Sequence, residues 1–217
     1  MNLIMFDLDE TLINVDSDVE WGRYLIDKNL VDPDIWTSKN ENFYSQYKKG
    51  QLDIEEYLKF SCEPLKNIDL ELLKMHRDAF ICERIEPNIL KKGQQLIERY
   101  RNEGDEILII TATIEFITKP IATLMGIGEI IAPIPEFLNG SYTGKTVGIP
   151  SFGVGKLLRF HDWLKRNAKR FDETTFYSDS HNDIPLLSAV TNPIAVDPDP
   201  ILRREAKKRN WQVISLR

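Results

Sequence analysis

Cysteine is scarce in this chain, which has only Cys62 and Cys82 among its 217 residues. Two cysteines are too few for a disulfide framework, and they fit a reducing compartment. Long apolar runs are also lacking, because charges and prolines interrupt the most apolar stretch, residues 107–138, and leave no span of about 20 uncharged residues for a membrane helix. No basic segment precedes the first apolar run, so no signal peptide is expected. We expect a cytoplasmic protein without a membrane partner.

Positive charge is not in excess either. The chain carries 28 Lys and Arg residues against 34 Asp and Glu residues, so its formal net charge is −6. This balance argues against nucleic acid as a partner but allows a small basic pocket for an anion. With 42% hydrophobic and 29% charged residues, the composition is typical of a globular chain. None of these properties predicts the oligomeric state.

Short apolar runs alternate with helical patterns along most of the chain. Such runs predict buried parallel strands, with helices covering both faces of the sheet. We therefore predict an α/β fold with a Rossmann-like doubly wound parallel sheet. The predicted strands are 3–6, 107–110, 129–134, 174–177, 193–196 and 211–214, the predicted helices are 88–101, 116–125, 156–169, 184–190 and 200–209, and a hairpin is predicted within 140–153.

Residues 15–84 interrupt this alternation, because they are charged, helix-periodic and rich in aromatics. We predict that they form an inserted α-helical cap on a core domain made of residues 1–14 and 85–217. Aromatic rings of the insert either pack its helices or stack on a ligand ring, and the sequence leaves both possibilities open. These rings are Trp21, Tyr24, Trp36, Phe43, Tyr44, Tyr47, Tyr57 and Phe60.

Polar residues lie at or near the ends of several predicted strands. They are residues 7–11 (DLDET), residues 111–113 (TAT), Lys156 and residues 179–183 (DSHND). Taken singly, each has another explanation: Thr111 and Asp183 are placed to cap helices, and Lys156 suits a solvated surface. Because ligands of open α/β sheets bind beyond the carboxyl ends of the strands, the four together predict one site.

Phosphoryl transfer is the chemistry that this set of residues favours. A hard cation held by two carboxylates offsets the repulsion between a phosphate dianion and a carboxylate nucleophile. The all-oxygen ligand set favours Mg²⁺ over zinc, and a lysine adds positive charge at the phosphoryl oxygens. One aspartate can then attack phosphorus, while another, two residues on, acts as general acid and base.

The segments FDLDETL and TAT, Lys156 and the segment YSDSHND resemble, in chain order, the four motifs of the haloacid dehalogenase-like superfamily. The position of the insert resembles the phosphoserine-phosphatase-like branch. The final 42 residues, from FYSDSHND onward, resemble a bacterial subgroup that includes histidinol-phosphate phosphatases. Two departures from the pattern are Ser178, where the family often has glycine, and His181, which we interpret as a loop residue.

The resemblance implies a role for each motif residue. Asp7 would be the nucleophile and Asp9 the general acid and base. Mg²⁺ would bind Asp7, the backbone carbonyl of Asp9 and Asp179. The phosphate would be bound by Thr111, Ala112, Lys156 and Asn182, with Asp183 supporting the metal and phosphate ligands.

The resemblance also bears on the substrate, a small phosphomonoester. Asp16 stands where phosphoserine phosphatases carry an acidic clamp for the substrate amine. Their arginine for the substrate carboxylate falls on Ser61, although Arg77 or Arg84 could replace it. An amine contact without a carboxylate contact favours histidinol phosphate over phosphoserine, and phosphoserine phosphatase remains the alternative.

Other classes share part of this pattern. A phospho-accepting receiver-like signalling module also combines acidic residues, a threonine and a lysine on a parallel sheet, but residues 131–134 offer no acceptor aspartate and a receiver lacks a large insert. A calcium loop over residues 7–18 would need glycine and glutamate where Leu12 and Asp18 stand. A mutase or phosphotransferase of the same superfamily remains possible, because the covalent intermediate can pass to an acceptor other than water.

Overall fold

A six-stranded parallel sheet forms the centre of the molecule, which the computed structural model describes over residues 1–217. The strands of the chain are β1 (Leu3–Phe6), β2 (Glu106–Ile110), β3 (Glu129–Ile131), β4 (Ile134–Leu138), β5 (Ser141–Val147), β6 (Thr174–Ser178), β7 (Asn192–Val196) and β8 (Gln212–Ile214). The order in the sheet is β3-β2-β1-β6-β7-β8, and β4 and β5 form a separate antiparallel hairpin. The doubly wound α/β fold is thus confirmed. The hairpin predicted within 140–153 was misplaced, because its first strand, β4, precedes residue 140.

Ten α-helices accompany the strands. They are α1 (Ser17–Asp27), α2 (Pro33–Lys48), α3 (Ile54–Ser61), α4 (Glu63–Asn67), α5 (Leu70–Phe80), α6 (Lys91–Asn102), α7 (Glu115–Leu124), α8 (Val154–Asn167), α9 (Ile184–Leu187) and α10 (Pro200–Arg209). Five of them begin after an aspartate whose side chain accepts hydrogen bonds from the first turn, which is why they start there. None of the helices is both long and apolar enough to span a membrane.

The central strand β1 is buried on both faces of the sheet. Leu3 and Met5 pack with residues of the helices that cover one face. Ile4 and Phe6 belong to a larger apolar cluster that also contains Trp21 of α1. Helices of the 15–84 segment therefore share a hydrophobic core with the other face of the sheet.

The ends of the inserted segment run side by side. Ile13 and Ile89 form an isolated antiparallel bridge, and the amide of Asn14 donates to the carbonyl of Asn88. This pairing supports the predicted division of the chain at residues 14/15 and 84/85, which we propose as its domain boundary.

Several predicted boundaries were wrong. The strand predicted at 129–134 ends at Ile131, since Pro133 offers no amide for a ladder. Residues Glu86–Asn88, with Pro87, form a 3₁₀ turn, so the helix predicted from residue 88 begins at Lys91. The helix predicted at 184–190 ends at Leu187.

Cys62 is buried, whereas Cys82 is exposed.

Candidate active site

The predicted site residues converge at one edge of the sheet. Strand β1 pairs directly with β2 and β6, so the three carboxyl ends lie side by side. Asp7 follows β1, Thr111 follows β2 and Asp179 follows β6. Lys156, in the first turn of α8, and Asp183, after β6, line the same cavity of about 650 Å³.

Lys156 joins two carboxylates that come from different elements. Its Nζ atom lies 3.1 Å from Oδ1 of Asp7 and 2.7 Å from Oδ2 of Asp183. All three residues are at most 6% exposed. Burial alone would lower the pKa of Lys156, but Asp183 and Asp7 hold it above its ordinary value, so the ammonium stays charged.

Carboxylates outnumber cations at this edge. Burial raises the pKa of Asp7 well above its ordinary value, Lys156 opposes the rise, and Asp183 and Asp179 increase it. Burial, followed by the charge of Asp183, raises the pKa of Asp179 to about 7. The site therefore carries an excess of buried negative charge that a bound cation would relieve.

Two hydroxyls that the sequence reasoning did not single out for a role hold these carboxylates in place. Thr11 Oγ1 donates to Oδ1 of Asp179 at 3.0 Å. Ser178, noted only as a departure from the family pattern, donates to Oδ2 of Asp183 at 2.7 Å. Asp183 precedes α9 but makes no capping bond with its side chain, so the capping explanation for it was wrong. Thr11 belongs to the first motif, residues 7–11, so the sequence did contain an indication of its role.

Asp9 lines the same cavity but makes no ion pair with the lysine. Its Oδ1 accepts from the amide of Ser17 at 2.8 Å and its Oδ2 from Thr113 Oγ1 at 2.9 Å. Burial, then the charge of Asp16, raises the pKa of Asp9 to about 6. A carboxyl with such a pKa can both donate and accept a proton near neutral pH.

The predicted phosphate ligands line the cavity. Thr111 is fully buried and does not cap α7, which begins after Ile114 without a side-chain cap. Ala112 and Asn182 also line the cavity. These positions are compatible with phosphate binding, and the individual roles stay predictions.

The insert contributes acidic and aromatic residues to the cavity wall. Asp16 caps α1, and its Oδ1 accepts from the amides of Asp18 and Val19. Of the eight aromatics noted in the sequence, Phe43, Tyr44, Tyr47 and Tyr57 line the cavity, whereas Trp21, Tyr24, Trp36 and Phe60 do not and belong to the core. Packing is thus confirmed for four of the eight rings, and Phe43 and Tyr57 also pack against the core. Stacking on a ligand ring stays a prediction for the four rings that line the cavity.

The two arginines that the sequence left as substitutes for a carboxylate clamp do not line the cavity. Arg77 pairs with Asp78 at 2.8 Å. Arg84 pairs with Asp27 at 2.7 Å. The cationic side chains that do line it are Arg23, Lys48 and Lys156, and Arg23 is paired with Glu20 at 2.5 Å.

The doubly wound sheet and the buried acidic edge around one lysine favour phosphoryl transfer, and together with relatives that are phosphatases they define the class of the protein as a phosphatase. The chain belongs to the haloacid dehalogenase-like hydrolase family, whose model matches residues 4–188. The receiver-like alternative is wrong, because the family is one of hydrolases.

Two relatives of known sequence and two solved structures are similar to this chain. A histidinol-phosphatase of Neisseria meningitidis serogroup C is 43% identical, with 100% of this chain and 99% of the relative covered. Phosphoserine phosphatase SerB1 of Mycobacterium tuberculosis is 26% identical, with 98% of this chain and 70% of the relative covered. A Bordetella pertussis protein of unknown function has a TM-score of 0.93 at 37% identity, covering 100% and 99%. A substrate-bound phosphoserine phosphatase, with a TM-score of 0.71 and 20% identity over 98% and 92%, shares the fold.

Proposed function

We propose that this phosphatase is a Mg²⁺-dependent, cytoplasmic enzyme that hydrolyses histidinol phosphate through an aspartyl-phosphate on Asp7. The observation that carries the substrate is the charge of the cavity wall. Asp16 and Asp18 line the cavity, and neither takes part in an ion pair with a lysine or arginine. The one arginine that lines the cavity, Arg23, is paired with Glu20. Such a wall favours a substrate with cationic groups and no carboxylate.

The contacts of Asp7 support its role as the nucleophile. Its two donors, the amide of Leu8 and Nζ of Lys156, both contact Oδ1, so Oδ2 is left without a donor. In the first step Oδ2 attacks phosphorus and the bond from phosphorus to the ester oxygen breaks. The proton of the Asp9 carboxyl passes to the leaving alkoxide.

The second step restores the enzyme. The Asp9 carboxylate takes a proton from water, and the water oxygen attacks phosphorus. The bond between phosphorus and Oδ2 of Asp7 breaks, inorganic phosphate is released, and Asp7 is a carboxylate again. Lys156 holds its charge throughout and stabilises the phosphoryl oxygens.

The residues present fit a magnesium ion. Asp7, Asp179 and the backbone carbonyl of Asp9 would hold it, and they offer oxygen ligands only. No group of three or more His, Cys, Asp or Glu side chains is arranged as a metal site, and the proposed set needs only two side chains. The excess of buried negative charge at Asp7 and Asp179 supports a bound cation. When bound, Mg²⁺ neutralises phosphoryl charge and orients the ester for attack.

The deciding experiment measures phosphate release from histidinol phosphate and from phosphoserine, side by side, with Mg²⁺ and with a chelator. We expect much faster, chelator-sensitive turnover of histidinol phosphate, and no turnover by Asp7→Asn. Preference for phosphoserine would contradict the substrate and favour the alternative activity, phosphoserine phosphatase. Chelator-resistant turnover would contradict the metal, and full activity of Asp7→Asn would contradict the covalent intermediate.

A further inference from the structure

Asp18 is a buried residue, and one of its two carboxylate oxygens accepts hydrogen bonds from helix α3. It lies in the first turn of α1 and is 6% exposed. The hydroxyl of Tyr57 donates to its Oδ2 at 2.5 Å, and Ser61 Oγ donates to the same atom at 3.3 Å. Its Oδ1 receives no hydrogen bond. The residue is therefore held in a fixed orientation with one acceptor unused.

No positive group of the chain compensates Asp18. It forms no salt bridge, and the charges that act on it from neighbouring elements are negative: Asp9 raises its pKa, and Asp18 in turn raises that of Asp16. Burying a carboxylate without a partner is costly, and such groups are kept where a ligand supplies the missing charge. Because Asp18 lines the cavity, a substrate cation can reach it.

The aromatic residues beside Asp18 suit a flat ring. Tyr57 lines the cavity, and its ring meets that of Phe43, another lining residue, edge to face at a centroid distance of 5.6 Å. Ring faces of this kind attract planar cations as well as apolar surface. Asp16, at the entry of α1, remains available for the aliphatic amine through Oδ2, which has no hydrogen bond.

We propose that Asp18 is the specificity residue of this enzyme, and that its Oδ1 accepts a hydrogen bond from the protonated imidazole of the substrate. This inference rests on the proposed function and adds a residue to it. Ser61, the last residue of α3, contributes by being small and neutral. It orients Asp18, where an arginine would pair with Asp18 and remove its charge from the cavity.

A purely structural role for Asp18 makes a different prediction. In that case the residue would only join α1 to α3 through Tyr57 and Ser61. Asparagine keeps one carbonyl oxygen that can accept both bonds, so Asp18→Asn preserves the structural contacts and removes only the charge. A change in substrate affinity without a change in chemistry thus separates the two roles.

The test compares Asp18→Asn with the wild type on histidinol phosphate and on p-nitrophenyl phosphate, whose ring carries no positive charge. We expect the KM for histidinol phosphate to rise about 10- to 100-fold, as for a lost charge-assisted hydrogen bond. We expect kcat, and kcat/KM for p-nitrophenyl phosphate, to change less than about threefold. Asp53→Asn is the matched control, because Asp53 caps α3 outside the cavity.

The outcomes distinguish the two proposals. If the wild-type enzyme hydrolyses histidinol phosphate and Asp18→Asn has the same KM for it, the role of Asp18 is overturned and the proposed function stands. Wild-type enzyme that releases no phosphate from histidinol phosphate would overturn both. An equal loss of kcat/KM on both esters would assign Asp18 to the structure of the insert and would also overturn its role in specificity.

Discussion

The hydroxyl of Tyr47, near the end of α2, donates a hydrogen bond of 2.8 Å to the hydroxyl of Ser180. Ser180 follows Asp179 in the loop after β6, and its own oxygen accepts from the amide of Asn182. Gly50 lies against the next residue of the same loop, since a Cβ on it would stand 3.2 Å from Nε2 of His181. The tip of the insert thus rests on the loop that carries a proposed metal ligand.

Removing this hydrogen bond should weaken closure of the insert without disturbing its packing. Tyr47→Phe keeps the contact of the ring with Phe152 and loses the bond to Ser180, worth about 0.5–1.5 kcal/mol. We expect kcat/KM for the preferred ester to fall roughly three- to tenfold. Steady-state phosphate release checks this, with Tyr142→Phe as the control, because Tyr142 lies outside the cavity and its hydroxyl makes no hydrogen bond. Equal kinetics in the two variants would contradict a closing role.

Lys156 links catalysis to stability, because it stands between two buried carboxylates. Lys156→Ala leaves Asp7 and Asp183 without a counter-charge, and breaking such a buried pair costs about 3–5 kcal/mol. We expect a loss of that size in the free energy of unfolding and a fall in kcat of at least about 100-fold. Urea denaturation and phosphate release measure the two effects. Lys165→Ala, on the exposed side of the same helix, should change neither, and matching losses there would refute the explanation.

Glycine is required at position 155, at the start of α8, because there is no space for a side chain. A Cβ at this position would lie 2.0 Å from the carbonyl oxygen of Pro150, so alanine forces the loop away from the residue that precedes Lys156. We expect Gly155→Ala to lower the free energy of unfolding by about 1–3 kcal/mol and to reduce activity by displacing Lys156. At Gly128 nothing lies within 4 Å of such a Cβ, so thermal unfolding of Gly128→Ala should match the wild type. Equal stability of the two variants would show that the loop yields without cost.

Local patterns predicted the sheet and its acidic edge well. The run before Asp7 is apolar at every position because β1 is buried on both faces of the sheet. This apolar run followed by an aspartate is enough to predict a buried strand with a carboxylate at its end. The helix start after Asp199 follows from the way aspartate satisfies free amides.

Contacts between distant segments were not predicted, for a physical reason. Tyr47 and Ser180 are 133 residues apart, and Asp18 and Tyr57 lie on separate helices of the insert. Helical periodicity indicates which side of a helix is apolar, but not which other helix faces it or at what height. The expectation that a carboxylate clamp is missing depended on Ser61, but the contact of Ser61 with Asp18 was not predicted.

The pH dependence of stability provides an independent check on Asp18. Burial, with a further contribution from Asp9, raises the pKa of Asp18 to about 6. Between about pH 4 and pH 6, Asp18 is therefore protonated in the folded state and already ionised in the unfolded state. Its contribution to the free energy of unfolding falls as the pH rises through that window. Above pH 6 the penalty is on the order of 2–3 kcal/mol, at about 1.4 kcal/mol for each pKa unit.

Asp18→Asn removes the penalty and keeps an acceptor for Tyr57 and Ser61. We expect the unliganded variant to be more stable than the wild type at pH 7.5, with a Tm roughly 5–10 °C higher for a chain of this size, and the difference to vanish near pH 4. Thermal unfolding followed by circular dichroism across this range measures it, with Asp53→Asn as the exposed control. A variant that is less stable than the wild type at pH 7.5 would mean that the Asp18 charge supports the fold, and that its cost is not offset by a substrate cation.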